Sequence, residues 1–297
     1  MYNMKNILRI LTIATAATSA LLITGCSSPS DSDQDLSIIG SDTLLQVGLA
    51  WGEAYREVNK DVTVKVDGGG SGIGINALIN DTAQIANSSR QIKDSEIASI
   101  KEKHGKEPVE HIVGYDGIAV YVHKENPIKS ISLAQLKEIY AEGGTIDAWE
   151  KINPGITGAI DRSSRSSTSG TYSFFKEAVC GKGVEYKKGA TTMSGSTAIV
   201  EFVGTTKTAI GYSGMGYKND HVNWLAIYSD DASKAVEPSI EAVADGSYPI
   251  ARPLYLYTVG EPEGVVKEYI DWLKSAAGQA VLAAEKFVPI PADKQTK

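Results

Sequence analysis

The chain has 297 residues, of which 29 are lysine or arginine and 36 are aspartate or glutamate, so its formal net charge is −7 at pH 7. This acidic balance argues against nucleic acid as a partner, because proteins that bind a phosphate backbone usually carry clustered basic residues. A chain of this length can hold two domains of ordinary size.

The start of the chain predicts a lipoprotein signal peptide. Two basic residues precede an apolar run that ends at Ile23, and no acidic residue occurs before Asp31. Such a run is too short, and has the wrong flanks, for a membrane-spanning helix. It leads into the sequence ITGC, which resembles the bacterial lipobox, where the cysteine becomes the lipidated first residue. We therefore expect removal of residues 1–25 and acylation of Cys26, for example by palmitate, on a bacterial membrane facing the periplasm or the cell exterior.

The stretch that follows the leader is predicted to be a tether. Residues 26–35 are polar, and three aspartates at alternate positions resemble the start of a calcium loop. Leu36 stands where such a loop needs glycine, so we expect no metal there, and no other cofactor is indicated. With Cys26 lipidated, Cys180 has no partner for an internal disulfide, so stability must come from buried apolar surface.

From Leu36 onward, short strands and amphipathic helices alternate. The sequence predicts strands over residues 36–39, 62–66, 84–87, 117–123 and 253–258, and helices over 42–58, 75–79, 94–103 and within 264–286. This alternation is typical of an α/β fold, an open sheet with helices on both faces. No predicted helix after the leader is apolar enough to span a membrane.

Three of these strands, and a further one that ends at Ile160, lead into small hydroxyl residues or glycines. These loops read GSDT at 40–43, GGGSG at 68–72, SSR at 88–90 and RSSRSSTSGT at 162–171. In an open α/β sheet, this end of the strands is the side that binds ligands. Helix N-termini there offer unpaired N–H groups and the positive end of the helix dipole. Four such loops that meet at one place would form a cage for an anion.

Each loop has a simpler interpretation when it is taken alone. Residues 41–43 are preferred helix caps. Residues 68–70 could be only a flexible turn, and they do not belong to a nucleotide motif, since Ile73 breaks the G-x-G-x-x-G spacing. Arg90 and Arg165 could be ordinary surface charges. The coincidence of all four loops at equivalent strand ends favours the anion site.

Six segments together resemble a known family. They are GSDT from Gly40, GGGSGIG from Gly68, SSR from Ser88, YDGIAV from Tyr115, RSSTSGT from Arg165 and YPIARPLY from Tyr248. In this order, over nearly the whole mature chain, they resemble the phosphate-binding lipoprotein of Pst-type ABC transporters. The resemblance implies the type II periplasmic-binding-protein fold, with two lobes joined by crossing strands that close on dehydrated inorganic phosphate. The first lobe would contain residues 36–113 and 251–297, and the second residues 114–250.

The resemblance also implies which residues hold the ligand. The expected phosphate-binding residues are Ser41, Thr43, Ser71, Ser89, Arg90, Asp116, Arg165, Ser169, Gly170 and Thr171. Arg165 would make a bidentate contact, and the aromatic residues 172, 174 and 175 would anchor the helix behind it. Many relatives place an aspartate at the position of Ser89, where it accepts the proton of phosphate. A subgroup that resembles this chain carries Asp116 instead, so we expect Asp116 to accept the proton, with Asp42 as the alternative.

The implied function is high-affinity phosphate binding for import. The implied partners are inorganic phosphate, the permease subunits of an ABC transporter and the membrane through the lipid, with a monomeric protein that is not an enzyme. One alternative is a binder of sulfate, molybdate or a phosphonate, because a fold does not determine its ligand. The other is a serine hydrolase, since Ser173 and Lys176 have the S-x-x-K spacing. Neither S-D-N, K-T-G nor G-x-S-x-G accompanies that pair, and the four histidines have no evident partner in the sequence.

Overall fold

The computed structural model describes residues 34–296, so the predicted signal peptide, Cys26 and most of the predicted tether lie outside the described residues. The strands are β1 Gln34–Gly40, β2 Val62–Asp67, β3 Ile85–Ser88, β4 Pro108–His123, β5 Ser130–Ser132, β6 Asp161–Arg165, β7 Thr191–Met193, β8 Ala209–Gly214, β9 Val222–Trp224, β10 Ala226–Tyr228 and β11 Ala251–Val259. The helices are α1 Leu45–Arg56, α2 Ser71–Ile79, α3 Asp94–His104, α4 Leu133–Tyr140, α5 Gly170–Phe175, α6 Ser196–Thr205, α7 Ile240–Ala244, α8 Gly264–Lys274 and α9 Ala276–Ala284.

One mixed sheet runs through the described residues in the order β2-β1-β3-β11-β4-β8-β6-β7. Strands β2 and β3 lie parallel to β1 on either side of it, so their carboxyl ends share one edge. Strands β11 and β4 are antiparallel to each other along most of their length, and β4 continues into antiparallel pairing with β8. Strand β6 is parallel to β8. The predicted α/β class with an open mixed sheet is confirmed.

The hydrophobic core is divided between two parts of the fold. Two clusters unite residues from 36–113 with residues from 254–287. A third cluster lies within 118–250 and includes only Val288 from outside that range. We call these parts the first lobe and the second lobe, and β4 and β11 cross between them. The two-lobed fold is confirmed, whereas the lobe limits given above stay a prediction.

Several element boundaries differ from the sequence prediction, and three of them do so for identifiable reasons. Helix α1 begins at Leu45, not at Asp42, because the side chain of Asp42 binds groups from other loops and residues 41–44 form a turn. Strand β4 begins at Pro108, since it pairs with β11 well before the apolar run that marked it in the sequence. The last helical segment is two helices, because Ser275 has an extended backbone and its side chain caps α9.

Two kinds of feature are absent from residues 34–296. No helix in this range is long and apolar enough to cross a membrane. No group of three or more His, Cys, Asp or Glu side chains within it could hold a metal ion.

Candidate functional site

Three loops of the first lobe bring buried hydroxyl groups together. They follow β1, β2 and β3, whose carboxyl ends meet because the strands are parallel. The Oγ of Ser41 donates to the Oγ of Ser89 at 2.7 Å, and the Ser71 and Ser89 Oγ atoms lie 3.4 Å apart. The backbone N–H of Ser89 donates to the Ser71 Oγ at 3.1 Å. Three of the four predicted loops therefore converge, and their serines are at most 2% exposed.

The fourth loop reaches this cluster from the second lobe. The hydroxyls of Thr171 at the start of α5 and Thr43 ahead of α1 are 2.8 Å apart. Ser169 caps α5 by accepting from the N–H of Tyr172 at 3.3 Å. Beside it, the N–H of Gly72 donates to the carbonyl oxygen of Thr168 at 2.9 Å. The two lobes are thus in direct contact around the hydroxyl cluster, which is a closed arrangement.

The glycine loop allows this close approach of the lobes. Gly70 has φ +106°, a conformation that L side chains rarely adopt. A Cβ added there would lie 2.7 Å from the carbonyl oxygen of Thr168. The loop glycine therefore serves both the turn into α2 and the contact between lobes.

The aromatic residues after the loop hold α5 in the second lobe to different degrees. Phe175 is completely buried and stacks on Tyr212 with ring centroids 3.8 Å apart. Tyr172 and Phe174 are only half-buried. Tyr172 packs against Tyr186 at 4.6 Å, and the ring of Phe174 lies 5.4 Å from the guanidinium carbon of Arg252.

Arg165 at the end of β6 binds across the lobe boundary. One Nη atom pairs with the carboxylate of Asp42, and the other donates to the Oγ of Ser196 at 3.3 Å. The second oxygen of Asp42 accepts from the N–H of Gly69 at 2.9 Å. Arg165 is 2% exposed, so it lies inside the predicted site. Both oxygens of Asp42 are engaged, which makes Asp42 a poor candidate for the acceptor of a ligand proton.

Arg90 has a different environment from the one predicted for it. Its two Nη atoms donate to the two carboxylate oxygens of Glu96 at 2.9 and 2.6 Å, and one also donates to the carbonyl oxygen of Gln91. Burial acts to raise the pKa of Glu96, but the bonds from Arg90 hold that pKa below its usual value. The guanidinium is committed to this pair, and among the described residues it makes no hydrogen bond to the hydroxyl cluster.

Arg252 lies at the centre of the site, although it is not among the residues predicted from the sequence. Its Nη2 is 3.0 Å from an oxygen of Asp116, 2.9 Å from the hydroxyl of Thr171 and 3.2 Å from that of Thr43. Its Nη1 donates to the carbonyl oxygen of Ser89 at 2.7 Å. Arg252 belongs to the YPIARPLY segment that supported the family resemblance, but the segment alone did not indicate that this arginine lies in the binding site.

Asp116 and Arg252 form an ion pair with side chains 0% and 1% exposed. They face each other in the register of β4 and β11, the strands that cross between the lobes. Complete burial raises the pKa of Asp116, and the positive charge of Arg252 opposes that rise. The second carboxylate oxygen, Oδ1, has no hydrogen-bond partner among residues 34–296. Buried carboxylate oxygens are normally satisfied, so this acceptor is available for a ligand.

The chemistry of the cluster suits an anion that carries a proton. Hydroxyl groups that now bind each other can turn their hydrogens toward a ligand, because the O–H rotates freely. Helix N-termini at α2 and α5 add backbone N–H donors. The two arginines supply positive charge, and Asp116 supplies one acceptor. Nine of the ten predicted site residues lie in or beside this cluster, the exception being Arg90, while the ligand-binding role of all ten stays a prediction.

The geometry gives no support to the serine hydrolase alternative. The Oγ of Ser173 lies 3.4 Å from the carbonyl oxygen of Ser169, within its own helix. The Nζ of Lys176 pairs with Glu185 at 2.7 Å, and this bond raises the pKa of Lys176. A lysine that acts as a general base needs the opposite shift.

Comparison with known proteins places the chain in a family. The model of the PBP superfamily domain matches residues 26–277. The phosphate-binding protein PstS of Pseudomonas aeruginosa strain PAO1 is 31% identical over 271 residues, covering 87% of this chain and 84% of that protein. PstS of Staphylococcus saprophyticus is 31% identical over 289 residues, covering 93% and 88%.

A solved structure agrees with these relatives. The X-ray structure of a phosphate ABC transporter substrate-binding protein with bound phosphate, from Clostridium perfringens, is 30% identical with a TM-score of 0.77, and the match covers 87% of this chain and all of that one. The chain therefore belongs to the PBP superfamily and, within it, to the family of PstS phosphate-binding proteins.

Proposed function

We propose that this protein binds inorganic phosphate between its two lobes and delivers it to the permease subunits of an ABC transporter for import. The observation that carries the proposal is the meeting of four hydroxyl-rich loops from both lobes around two buried arginines and one buried carboxylate. The relatives named above, called phosphate-binding proteins, support phosphate as the ligand. The proposed role is transport, with no catalytic step.

The proposed ligand contacts come from both lobes. In the first lobe, Ser41, Thr43, Ser71 and Ser89 donate hydroxyl or backbone hydrogens. In the second lobe, residues 169–171 donate from the start of α5. Arg165 supplies the bidentate cation, and to do so one of its Nη atoms shares its hydrogens between Asp42 and the ligand.

Asp116 favours phosphate over fully deprotonated oxyanions in this proposal. Phosphate near neutral pH carries at least one proton, which the free Oδ1 can accept. Sulfate carries none, so its oxygens would face a buried negative charge. Discrimination of this kind comes from the cost of binding the wrong anion.

Calorimetric titration of the purified protein with phosphate, arsenate and sulfate at equal concentration tests the proposal. We expect tight binding of phosphate, measurable binding of arsenate, which is also protonated near neutral pH, and no heat from sulfate. Stronger binding of sulfate or molybdate than of phosphate would replace the proposed ligand with another oxyanion.

We also propose that Cys26 is acylated and anchors the protein to the membrane, with the polar segment 26–35 as the tether. We expect the Cys26→Ser variant to remain unprocessed or to be released, because the residue that would receive the lipid is absent. Fractionation of cells followed by immunoblotting measures this. The matched control is Cys180→Ser, since that thiol is buried in the second lobe and burial raises its pKa to about 11. A Cys26→Ser protein of mature length that stays with the membranes would contradict the anchor.

A further inference from the structure

Arg252 stands apart from the other polar residues of the site because it makes hydrogen bonds to four separate segments of the chain. Through two nitrogen atoms it contacts the loop after β3, the turn before α1, the start of α5 and the strand β4. It approaches Asp116 from one side only, at Oδ2, and leaves Oδ1 without a partner in the described part of the chain.

We propose that Arg252 is a positioning residue for ligand selectivity: it keeps Asp116 ionised and oriented so that Oδ1 accepts the proton of the bound anion. The inference rests on the proposed function and adds to it a residue that determines which protonation state of an oxyanion is bound. Arg252 acts here through Asp116, and its contact with the ligand is not required.

The charge of Arg252 favours the ionised form of Asp116. A carboxylate that is completely buried tends to take up a proton, and a close positive charge or a hydrogen-bond donor opposes this. Arg252 is the cation that contacts Asp116, and the backbone of Met215 acts in the same direction more weakly. The other titratable groups around Asp116 are Tyr121 on β4, Tyr217 after β8 and Tyr248 before β11, and burial raises the pKa of each, so they stay neutral. Arg165 is the second positive charge near the pair. Burial lowers the pKa of Arg252, and repulsion from Arg165 adds to this effect.

The charge of Asp116 determines which hydrogen bond it can make. An ionised Asp116 can only accept, whereas a protonated Asp116 can donate. A donor at Oδ1 would bind an unprotonated oxygen of sulfate as readily as one of phosphate. The positive charge of Arg252 therefore determines whether the site distinguishes a protonated anion from an unprotonated one.

The position of the carboxylate depends on its neighbours. Glycine at position 214 leaves room for it, since a Cβ added there would lie 3.0 Å from Oδ1 and 3.1 Å from Oδ2. With Oδ2 fixed by Arg252, the rotation of the carboxylate is restricted. A lysine can replace the charge of Arg252 but not its simultaneous contacts with Ser89 and Thr171.

The test compares Arg252→Gln, Arg252→Lys and the parent by calorimetric titration with phosphate from pH 5.5 to 8.5. Ionised Asp116 contributes to binding above its pKa, and the contribution is lost as the pH falls through that pKa. Without the cation the pKa is higher, so Arg252→Gln should lose affinity at a higher pH than the parent. We expect the pH at which phosphate affinity falls to be about one unit or more higher in Arg252→Gln than in the parent, which is a tenfold change in the ionised fraction of Asp116. In Arg252→Lys the affinity should fall at the same pH as in the parent.

A second readout separates this role from a structural one. In Arg252→Gln, protonated Asp116 becomes a donor, so we expect sulfate binding to appear at acidic pH, where the parent still rejects it. In the double variant with Asp116→Asn, the Arg252→Gln change should no longer alter the pH profile. Arg162→Gln is the matched control, because that arginine pairs with Asp147 away from the cluster, and its profile should equal that of the parent.

Two results would overturn the inference. One is a loss of phosphate affinity in Arg252→Gln by the same factor at every pH, with sulfate still excluded. The other is an Arg252→Gln effect that simply adds to that of Asp116→Asn. If Arg252→Gln does not fold alone, the double variant is compared with Asp116→Asn, and a difference between their pH profiles would overturn the inference. A parent protein that does not bind phosphate would instead contradict the proposed function.

Discussion

Replacing Gly170 with alanine is expected to weaken phosphate binding strongly without unfolding the protein. A Cβ at Gly170 would lie 2.3 Å from the Oγ of Ser71 and 2.6 Å from the Oγ of Ser89, both in the opposite lobe. The two hydroxyls are buried and bonded within the first lobe, so they cannot turn away without losing those contacts. Overpacking of this kind costs about 1–3 kcal/mol, which corresponds to a loss of affinity of about 5- to 150-fold.

The stability of the second lobe should not fall in this variant. Gly170 is the first residue of α5, where alanine is a better helix former than glycine. Calorimetry gives the affinity, thermal unfolding gives the stability, and small-angle X-ray scattering with and without phosphate reports closure of the lobes. Gly195→Ala is the matched control, since Gly195 precedes α6 with φ −151° and has nothing within 4 Å of an added Cβ. Parental affinity in Gly170→Ala would mean that the lobes do not meet at this point when phosphate is bound.

The sequence was a good guide to the parts of this protein that local chemistry determines. The alternation of strands and helices predicted the fold class, and the hydroxyl-rich loops could be located because parallel strands bring their carboxyl ends to one edge. Ser41 and Ser71 are 30 positions apart in the sequence, and Ser71 and Ser89 are 18 positions apart. They follow β1, β2 and β3, and both β2 and β3 pair with β1. Their convergence therefore followed from sheet topology alone.

The sequence was a poor guide to which charges pair with each other. Arg90 follows directly on the serine loop, but its guanidinium reaches Glu96 in the first turn of α3, a local pair that competes with any ligand. Arg252 is 136 positions from Asp116, and only the register of two long antiparallel strands brings them together. Pairings of this kind depend on tertiary structure, so a motif without strand register could not reveal them.

The Asp116→Asn variant is expected to exchange selectivity for broader anion binding. Because Arg252 donates to Oδ2, the amide oxygen of asparagine should take that place, and its NH₂ group should take the place of Oδ1. A donor then stands where the proton acceptor stood. We expect phosphate to lose about 1.5–3 kcal/mol, the range for a hydrogen bond that involves a charged group.

The affinity for sulfate should rise in this variant while that for phosphate falls, for two reasons. The new NH₂ group can donate to an unprotonated oxygen, and removal of the carboxylate leaves the positive charge of Arg252 uncompensated, which favours a dianion. Calorimetric titration of Asp116→Asn with both anions measures the exchange. Asp245→Asn is the matched control, because that aspartate is exposed and accepts from Ser247 nearby, so its variant should bind phosphate and reject sulfate as the parent does. An Asp116→Asn protein that keeps the phosphate affinity and still excludes sulfate would transfer the acceptor role to Asp42, and Asp42→Asn would then have to produce the same exchange.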